Sequence, residues 1–224
     1  MQIIIAGTGK LAGELLSSLQ LVQMDQVIAW TDRGEDDGPA IVVHAGSGRE
    51  LTAIAAYCAA RQSPLIELAT GSQIEHMACS FPVILCPNTN ILMLKFMSML
   101  AKSGHLFRGY RIKLVESHQV QKTSVPGTAV SMAHALGLQA TEIQSIRDVD
   151  VQRSELHIPE ENLARHAYHQ IFIEDGACSL KFETRVQGDT PYADGVAKII
   201  AAVHGRALEN RLYAVTEFID KGWL

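Results

Sequence analysis

The opening stretch Gln2–Gly13 restricts the fold more than any other. Gln2–Ala6 is a short apolar run, as expected of a strand covered on both faces. It passes without a break into Gly7-Thr8-Gly9-Lys10-Leu11-Ala12-Gly13. The helix that follows carries Leu11, Leu15, Leu16 and Leu19 on one face. Strand, glycine turn and helix are the context that a GxGxxA dinucleotide fingerprint requires. In it Gly7 permits the tight turn, Gly9 lets the backbone approach a pyrophosphate, and Ala12 or Gly13 lets the helix lie close to the strand.

The next strand, Val27–Trp30, ends at Thr31-Asp32-Arg33. Asp32 follows the glycines by about 20 residues, where an acidic side chain holds the adenosine ribose. Arg33 beside it suits a 2′-phosphate, so the pair suggests tolerance of both NADH and NADPH. The alternation continues through strand Ala40–Val43, helix Arg49–Arg61, strand Pro64–Leu68, short helix Ser72–Cys79 and strand Pro82–Leu85. The helix Arg49–Arg61 turns Leu51, Ile54, Ala55 and Cys58 inward. Strands alternating with helices imply a parallel, doubly wound sheet whose ligands bind at the carboxyl ends of the strands. The loops at those ends are His44–Gly48, Ala69-Thr70-Gly71 and Cys86-Pro87-Asn88-Thr89, and small residues in all three leave room for ribose and nicotinamide. His44 in the first of these loops is a candidate ligand, with a packed or solvated histidine the more usual outcome. The nucleotide-binding domain is expected to end near Asn88, and Ile91–Ala101 reads as a buried inter-domain helix with several methionines.

The second half changes pattern. Tyr110–Glu116 alternates apolar Tyr110, Ile112 and Leu114 with charged Arg111 and Lys113, the period of a half-buried strand. That strand is expected to end at Glu116 and to deliver His118 and Lys122 onto a loop. Pro126-Gly127 breaks the chain, and Thr128 stands at the N-cap position of a helix Thr128–Leu136 with Gly137 as its C-cap. Backbone N–H groups at such a helix start suit an anion such as a carboxylate. One stretch therefore offers an imidazole, an amine and an anion cradle; an ordinary strand–loop–helix joint with solvated side chains has the same pattern. Further on, Glu142–Val149 reads as a strand, and Tyr168–Ile173 and Cys178–Val186 flank the hairpin signal Asp175-Gly176. Cys178, Leu180, Phe182, Thr184 and Val186 alternate with Ser179, Lys181, Glu183 and Arg185, which marks an antiparallel sheet with one open face and makes oligomers plausible. Arg153–His166 is a polar insertion. His166 and His169 have no third ligand spaced with them, so they read as strand-flanking residues and no metal is expected. Asp189-Thr190-Pro191 opens the helix Pro191–His204, and the tail Arg206–Leu224 is expected to pack back on the first domain.

Composition narrows the partners. The chain of 224 residues carries a net charge of −5 with no basic run, which gives nucleic-acid and membrane-surface binding no support. No apolar run approaches a membrane span, and no signal peptide is expected before Ile3. Cys58, Cys79, Cys86 and Cys178 lack CxxC spacing, so buried free thiols in a reducing cytoplasm are expected.

Taken together, these segments resemble the 4-hydroxy-tetrahydrodipicolinate (dihydrodipicolinate) reductases of diaminopimelate and lysine synthesis. The residues that carry the resemblance are AGTGKLAG at Ala6–Gly13, Asp32-Arg33, Ala69-Thr70-Gly71, Pro87-Asn88, and Glu116-Ser-His-Gln-Val-Gln-Lys with Pro126-Gly-Thr-Ala. Ile143–Arg147 and Tyr192-Ala-Asp-Gly-Val are similar less specifically. The family pattern is E-A-H-H-x-x-K followed by P-S-G-T-A, so Gln119 stands where it has a second histidine, and the loop before Gly127 is one residue shorter. Lys10 replaces the middle glycine of the family's GxxGxxG. The resemblance implies a Rossmann-like α/β domain over 1–88 and 194–224, with a doubly wound parallel sheet. It also implies a smaller α+β substrate and oligomerisation domain over 89–193, with a mixed or antiparallel sheet. It places the catalytic histidine at His118, the proton-donating lysine at Lys122, and substrate contacts at Gln119, Gly127 and Thr128. The cofactor, NADH or NADPH, is expected on Gly7, Thr8, Gly9, Lys10, Leu11, Ala12, Asp32, Arg33, Leu68, Ala69, Thr70, Cys86, Pro87, Asn88 and Thr89. The implied reaction is reduction of a small cyclic dicarboxylate by a cytoplasmic homotetramer. The alternatives are a related imine or enoate reductase and a non-catalytic nicotinamide-binding paralogue.

Overall fold

A computed structural model describes residues 1–21, 25–34, 38–123, 125–188 and 192–224. The chain divides into two compact units, Met1–Leu94 with Tyr192–Leu224, and Lys95–Pro191. The first unit holds β1 (Gln2–Ala6), α1 (Lys10–Ser18), β2 (Gln26–Ala29), β3 (Ala40–His44), α2 (Leu51–Arg61), β4 (Leu65–Glu67) and β5 (Val83–Leu85). The division falls inside α3 (Ile91–Ser103), later than the position expected near Asn88. The second unit continues with β6 (Arg111–His118), α4 (Gly127–Leu136), β7 (Gln144–Ile146), α5 (Val149–Ser154), β8 (Ala167–Glu174) and β9 (Ser179–Val186). The chain then returns to the first unit as α6 (Ala193–His204), β10 (Leu212–Ala214) and α7 (Val215–Asp220).

In the first unit six strands pair in the order β2-β1-β3-β4-β5-β10, all parallel. Strand alternation sends successive residues to opposite faces. Ile3, Ile5, Ile41 and Val43 pack with Leu15 of α1 and Val196, Ile199 and Val203 of α6. Ile4, Ala6, Val42 and Leu65 pack with Leu51, Ile54 and Cys58 of α2. Both faces are therefore covered, as the unbroken apolar strands demand. The tail contributes more than packing: β10 adds a sixth strand beside β5, with Tyr213 and Phe218 buried. Glu14, buried on α1, accepts hydrogen bonds from the backbone N–H groups of Tyr192 and Ala193 at 3.0 and 3.1 Å, a negative charge at the amino end of α6. The expected helix start Asp189-Thr190-Pro191 lies outside the described residues.

Several expectations need correction. On α1 Leu16 is exposed, and Ala12, Glu14 and Leu15 take the inward positions. Strand β2 stops at Ala29, and Trp30–Asp32 is a 3-10 turn. The segment Ser72–Cys79 tightens to a 3-10 turn, Gln73–His76, closed by a capping box of Ser72 and Glu75. Helix α3 is not buried all round: Met93, Leu94 and Leu100 are inside, whereas Leu92 and Met99 are exposed. The cysteines are free, with Cys58 and Cys86 buried but Cys178 exposed.

The second unit carries a mixed sheet, β7-β6-β8-β9, in which only β6–β7 is parallel. The expected strand Glu142–Val149 shortens because the Asp148 side chain accepts from Asp150 N and Val151 N at 2.9 and 3.0 Å, capping α5. The hairpin between β8 and β9 turns at Gly176, whose φ is 93°. Phe182 of β9 packs on Phe96 of α3 and on Phe107. The insertion is not simply polar, since Leu156, Ile158 and Leu163 form a small core with Tyr168 and Ile146.

Candidate active site

Residues two apart on a strand share a face, so β6 sets Glu116 and His118 side by side. The strand runs to His118, paired opposite Ala167 of β8, so the imidazole stands on a strand end and not on a loop as expected. Its Nδ1 lies 2.8 Å from Glu116 Oε2. Arg147 Nη2 donates to Glu116 Oε1 at 2.7 Å, while Arg147 Nε donates to the Lys122 carbonyl at 2.8 Å. Burial alone raises the pKa of the Glu116 carboxyl, but hydrogen bonds from His118, Arg147 and Ser145 outweigh it and hold it at about 2. The anion fixes the ring: Nδ1 carries the proton, and Nε2 remains for another partner.

Two further imidazoles flank His118. The His166 ring stacks with it at 6.5 Å between centroids, and the His169 ring meets it edge-on at 5.7 Å. Neither merely flanks a strand. His166 Nε2 and Gln152 Nε2 both lie 3.0 Å from the buried Ser117 hydroxyl, and His169 Nδ1 lies 3.2 Å from Thr184 Oγ1. Burial and the neighbouring His118 charge push the His169 pKa down to about 4, and burial lowers that of His166. Both rings are therefore neutral near pH 7. Among the described residues no three such side chains converge as metal ligands.

Lys122 follows in a turn closed by its N–H on the Gln119 carbonyl at 3.0 Å. Among the described residues nothing pairs with its amine. Helix α4 begins one residue earlier than expected, with Pro126 as N-cap and no side-chain cap, so Gly127 and Thr128 form its first turn. First-turn N–H groups have no acceptor within a helix and favour an anion. Gln119 and Thr128 are half-buried and Gly127 is exposed. Gly137 ends α4 at φ 82°, with Leu138 N donating to the Ala133 carbonyl at 2.9 Å.

The expected cofactor residues all lie in the first unit, at the carboxyl ends of β1, β2, β4 and β5. The sheet order reverses between β1 and β3, and ligands bind such sheets at that switch point. Gly7 sits there with φ 136°, and a Cβ on it would fall 2.4 Å from the Ala45 carbonyl oxygen, so only glycine fits. A Cβ on Gly9 would meet nothing within 4 Å, and the first turn of α1 has no side-chain cap. Space and uncapped N–H groups are what a diphosphate requires. Thr8 and Lys10 are exposed, Leu11 is half-buried, and Ala12 rather than Gly13 is the buried contact. Asp32 is exposed and accepts from the Thr31 hydroxyl at 3.0 Å. The Arg33 guanidinium lies 3.5 Å over the Trp30 ring and donates to the Trp30 carbonyl. Leu68 and Cys86 are buried, Ala69 is half-buried and Thr70 is exposed. The Ala69 N–H donates to Glu67 Oε1 at 2.9 Å. The Cys86–Thr89 loop is fixed from below, because a Cβ on Gly195 of α6 would fall 1.8 Å from the Thr89 carbonyl oxygen. Pro87 is exposed, and Asn88 Oδ1 accepts from Asn90 N at 2.9 Å.

Sequence reading passed over Glu116, Arg147, Ser117, Gln152 and Glu67. The signal for Glu116 was present in the period of two, which sets it beside His118. Arg147 is 31 residues distant in sequence from Glu116, and no spacing rule links them.

Fold and site together define a class: a doubly wound, Rossmann-like α/β unit joined to a smaller unit built on a mixed sheet. The particular family to which the chain is similar, in sequence and in fold, is that of the 4-hydroxy-tetrahydrodipicolinate reductases. It is 29% identical over 126 residues to a probable chloroplastic 4-hydroxy-tetrahydrodipicolinate reductase 1 of Oryza sativa subsp. japonica, covering 52% of this chain and 37% of that protein. It is 31% identical over 127 residues to the chloroplastic reductase 2 of Arabidopsis thaliana, covering 52% and 36%. The match thus spans about a third of these relatives' length. Among solved structures, a dihydrodipicolinate reductase from Paenisporosarcina sp. TG-14, with dipicolinate bound, aligns over 95% of this chain and 97% of that one, with a TM-score of 0.66 at 14% identity. That likeness is one of fold. No family model matches the chain.

Proposed function

We propose that the chain is an NAD(P)H-dependent reductase of a small cyclic dicarboxylate, 4-hydroxy-tetrahydrodipicolinate or a close relative, and that it yields tetrahydrodipicolinate in diaminopimelate and lysine synthesis. The observation that carries this reading is the Glu116-anchored His118 beside a loop whose Lys122 amine has no partner among the described residues. Gly7–Ala12, Asp32, Arg33, Leu68–Thr70 and Cys86–Thr89 hold the dinucleotide, with Asp32 suited to the ribose hydroxyls of NADH and Arg33 to the 2′-phosphate of NADPH. Loss of the substrate's hydroxyl as water would leave a conjugated C=C–C=N system in the ring, and a bound nicotinamide would supply the hydride that reduces it. Gly127 and Thr128 take a substrate carboxylate at the start of α4, with Gln119 adding a polar contact. As hydride arrives, negative charge builds on the ring and the Lys122 ammonium neutralises it by giving up a proton. His118, with its Nδ1–H committed to Glu116, is a second proton donor beside the developing charge when Nε2 is protonated as well. The dipicolinate in the solved neighbour, itself a cyclic dicarboxylate, supports this substrate class.

Coupling the purified protein to the aldolase that makes the precursor and following nicotinamide absorbance tests the reading. Steady oxidation of NADH or NADPH is expected. Oxidation only with other unsaturated or imino acids would move the substrate. Tight cofactor binding without any turnover would make the chain a non-catalytic nicotinamide binder.

A further inference from the structure

Beneath the glycine loops of the first unit lies a buried histidine–glutamate pair that the proposed reaction leaves unused. His44, the last residue of β3, and Glu67, the last of β4, are fully buried. His44 Nδ1 lies 2.8 Å from both carboxylate oxygens of Glu67. Glu67 is well satisfied, since it also accepts from Ala69 N at 2.9 Å and from Ser72 Oγ at 3.0 Å. His44 is not, because its Nε2 is buried with no hydrogen-bond partner. Leaving a buried polar atom unpaired costs about 1–3 kcal/mol, and such atoms are rare in native folds.

The place of that nitrogen says what it is for. A Cβ on Gly46 would fall 2.8 Å from His44 Nε2 and 3.4 Å from the Gly7 Cα. Nε2 therefore borders the junction of the β1 and β3 loops, the switch point where open α/β sheets take their ligands. Glu67 meanwhile holds the Ala69–Ser72 loop, so the pair joins two of the loops expected around the cofactor. In the tautomer whose Nδ1–H faces the carboxylate, Nε2 is an acceptor. An acceptor rejects a diphosphate, which has no proton to donate, and takes a hydroxyl.

We infer that His44 is a dinucleotide-binding residue: its Nε2 accepts a hydrogen bond from a ribose hydroxyl on the nicotinamide side of the cofactor, reached when the Ala45–Gly48 loop shifts off it. Glu67 is the positioning residue that fixes the ring. This rests on the dinucleotide reading of the first unit. The adenosine ribose belongs to Asp32, at the end of β2, which is why the nicotinamide half is assigned.

Dissociation constants for NADH and for ADP, which has no second ribose, test the inference in full-length protein. Two variants are compared: His44→Phe, and His44→Phe/Glu67→Gln, which leaves no unpaired buried charge. NADH binding is expected to weaken about tenfold in the double variant. ADP affinity should stay within about twofold of wild type, which also reports an intact fold. Unchanged NADH affinity would overturn the inference, as would an equal loss for NADH and ADP, which would show a structural role alone. A wild-type protein that binds neither NADH nor ADP would instead overturn the dinucleotide reading beneath it.

Discussion

At the scale of single residues, the site depends on which groups are already engaged. His118 Nδ1 is held by Glu116, Glu116 by Arg147, and Arg147 by the Lys122 carbonyl, while the Lys122 amine stands apart from that network. Lys122→Ala is therefore expected to lower kcat by about 10²–10⁴-fold, the usual contribution of a positioned acid. The NADH dissociation constant should not change, since the residues read as holding the cofactor lie in the other unit. Unaltered turnover would remove Lys122 from the mechanism. Glu116→Gln has a second effect, since it leaves the Arg147 charge without its carboxylate partner. Breaking such a pair is expected to destabilise the second unit by about 3 kcal/mol, measured by urea unfolding, with a parallel fall in kcat. A variant as stable as wild type would show that the carboxylate is not needed to hold the network.

At the scale of elements, the glycine turn is the most constrained joint. Gly7→Ala forces a side chain into a left-handed region and into the Ala45 carbonyl at 2.4 Å. A loss of about 1–3 kcal/mol for the strain alone is expected, with dinucleotide binding abolished, and calorimetry and titration check the two separately. Elements with local signals were legible in advance. Strand β1 agreed residue for residue because its apolar run is bounded by a glycine turn. Helix α2 showed its inward face in Leu51, Ile54, Ala55 and Cys58. The misreadings came where tertiary partners decide. Strand β10 is three residues long and exists only beside β5. Strand β7 shortens because Asp148 starts a helix. Strand β6 extends to His118 because β8 pairs that far. The candidate site divides in the same way. His118 and Lys122 are visible as a spacing, but Arg147, His166 and His169 join them only through the sheet.

At the scale of the whole molecule, the buried histidines and carboxylate make stability fall with acid. The folded pKa of His169 is about 4, below its ordinary 6.5, so between these values the unfolded chain binds more protons. That stability is fully present above about pH 6.5 and is lost as pH falls toward 4. Glu116, depressed from 4.5 to about 2, adds a second loss as pH falls through that lower window. Urea midpoints are expected to drop between pH 7 and 4.5, and His169→Gln should flatten that drop; an identical slope in the variant would contradict the assignment. The central proposal is a hydride transfer from a bound nicotinamide to a cyclic dicarboxylate. Mass analysis of the product formed with NADH deuterated at both C4 positions tests it most directly. One deuterium is expected on a ring carbon of the reduced dicarboxylate with the wild-type chain, and a rate of labelling cut about 10²-fold or more by Lys122→Ala. A product without deuterium, or no product at saturating cofactor and precursor, would contradict it.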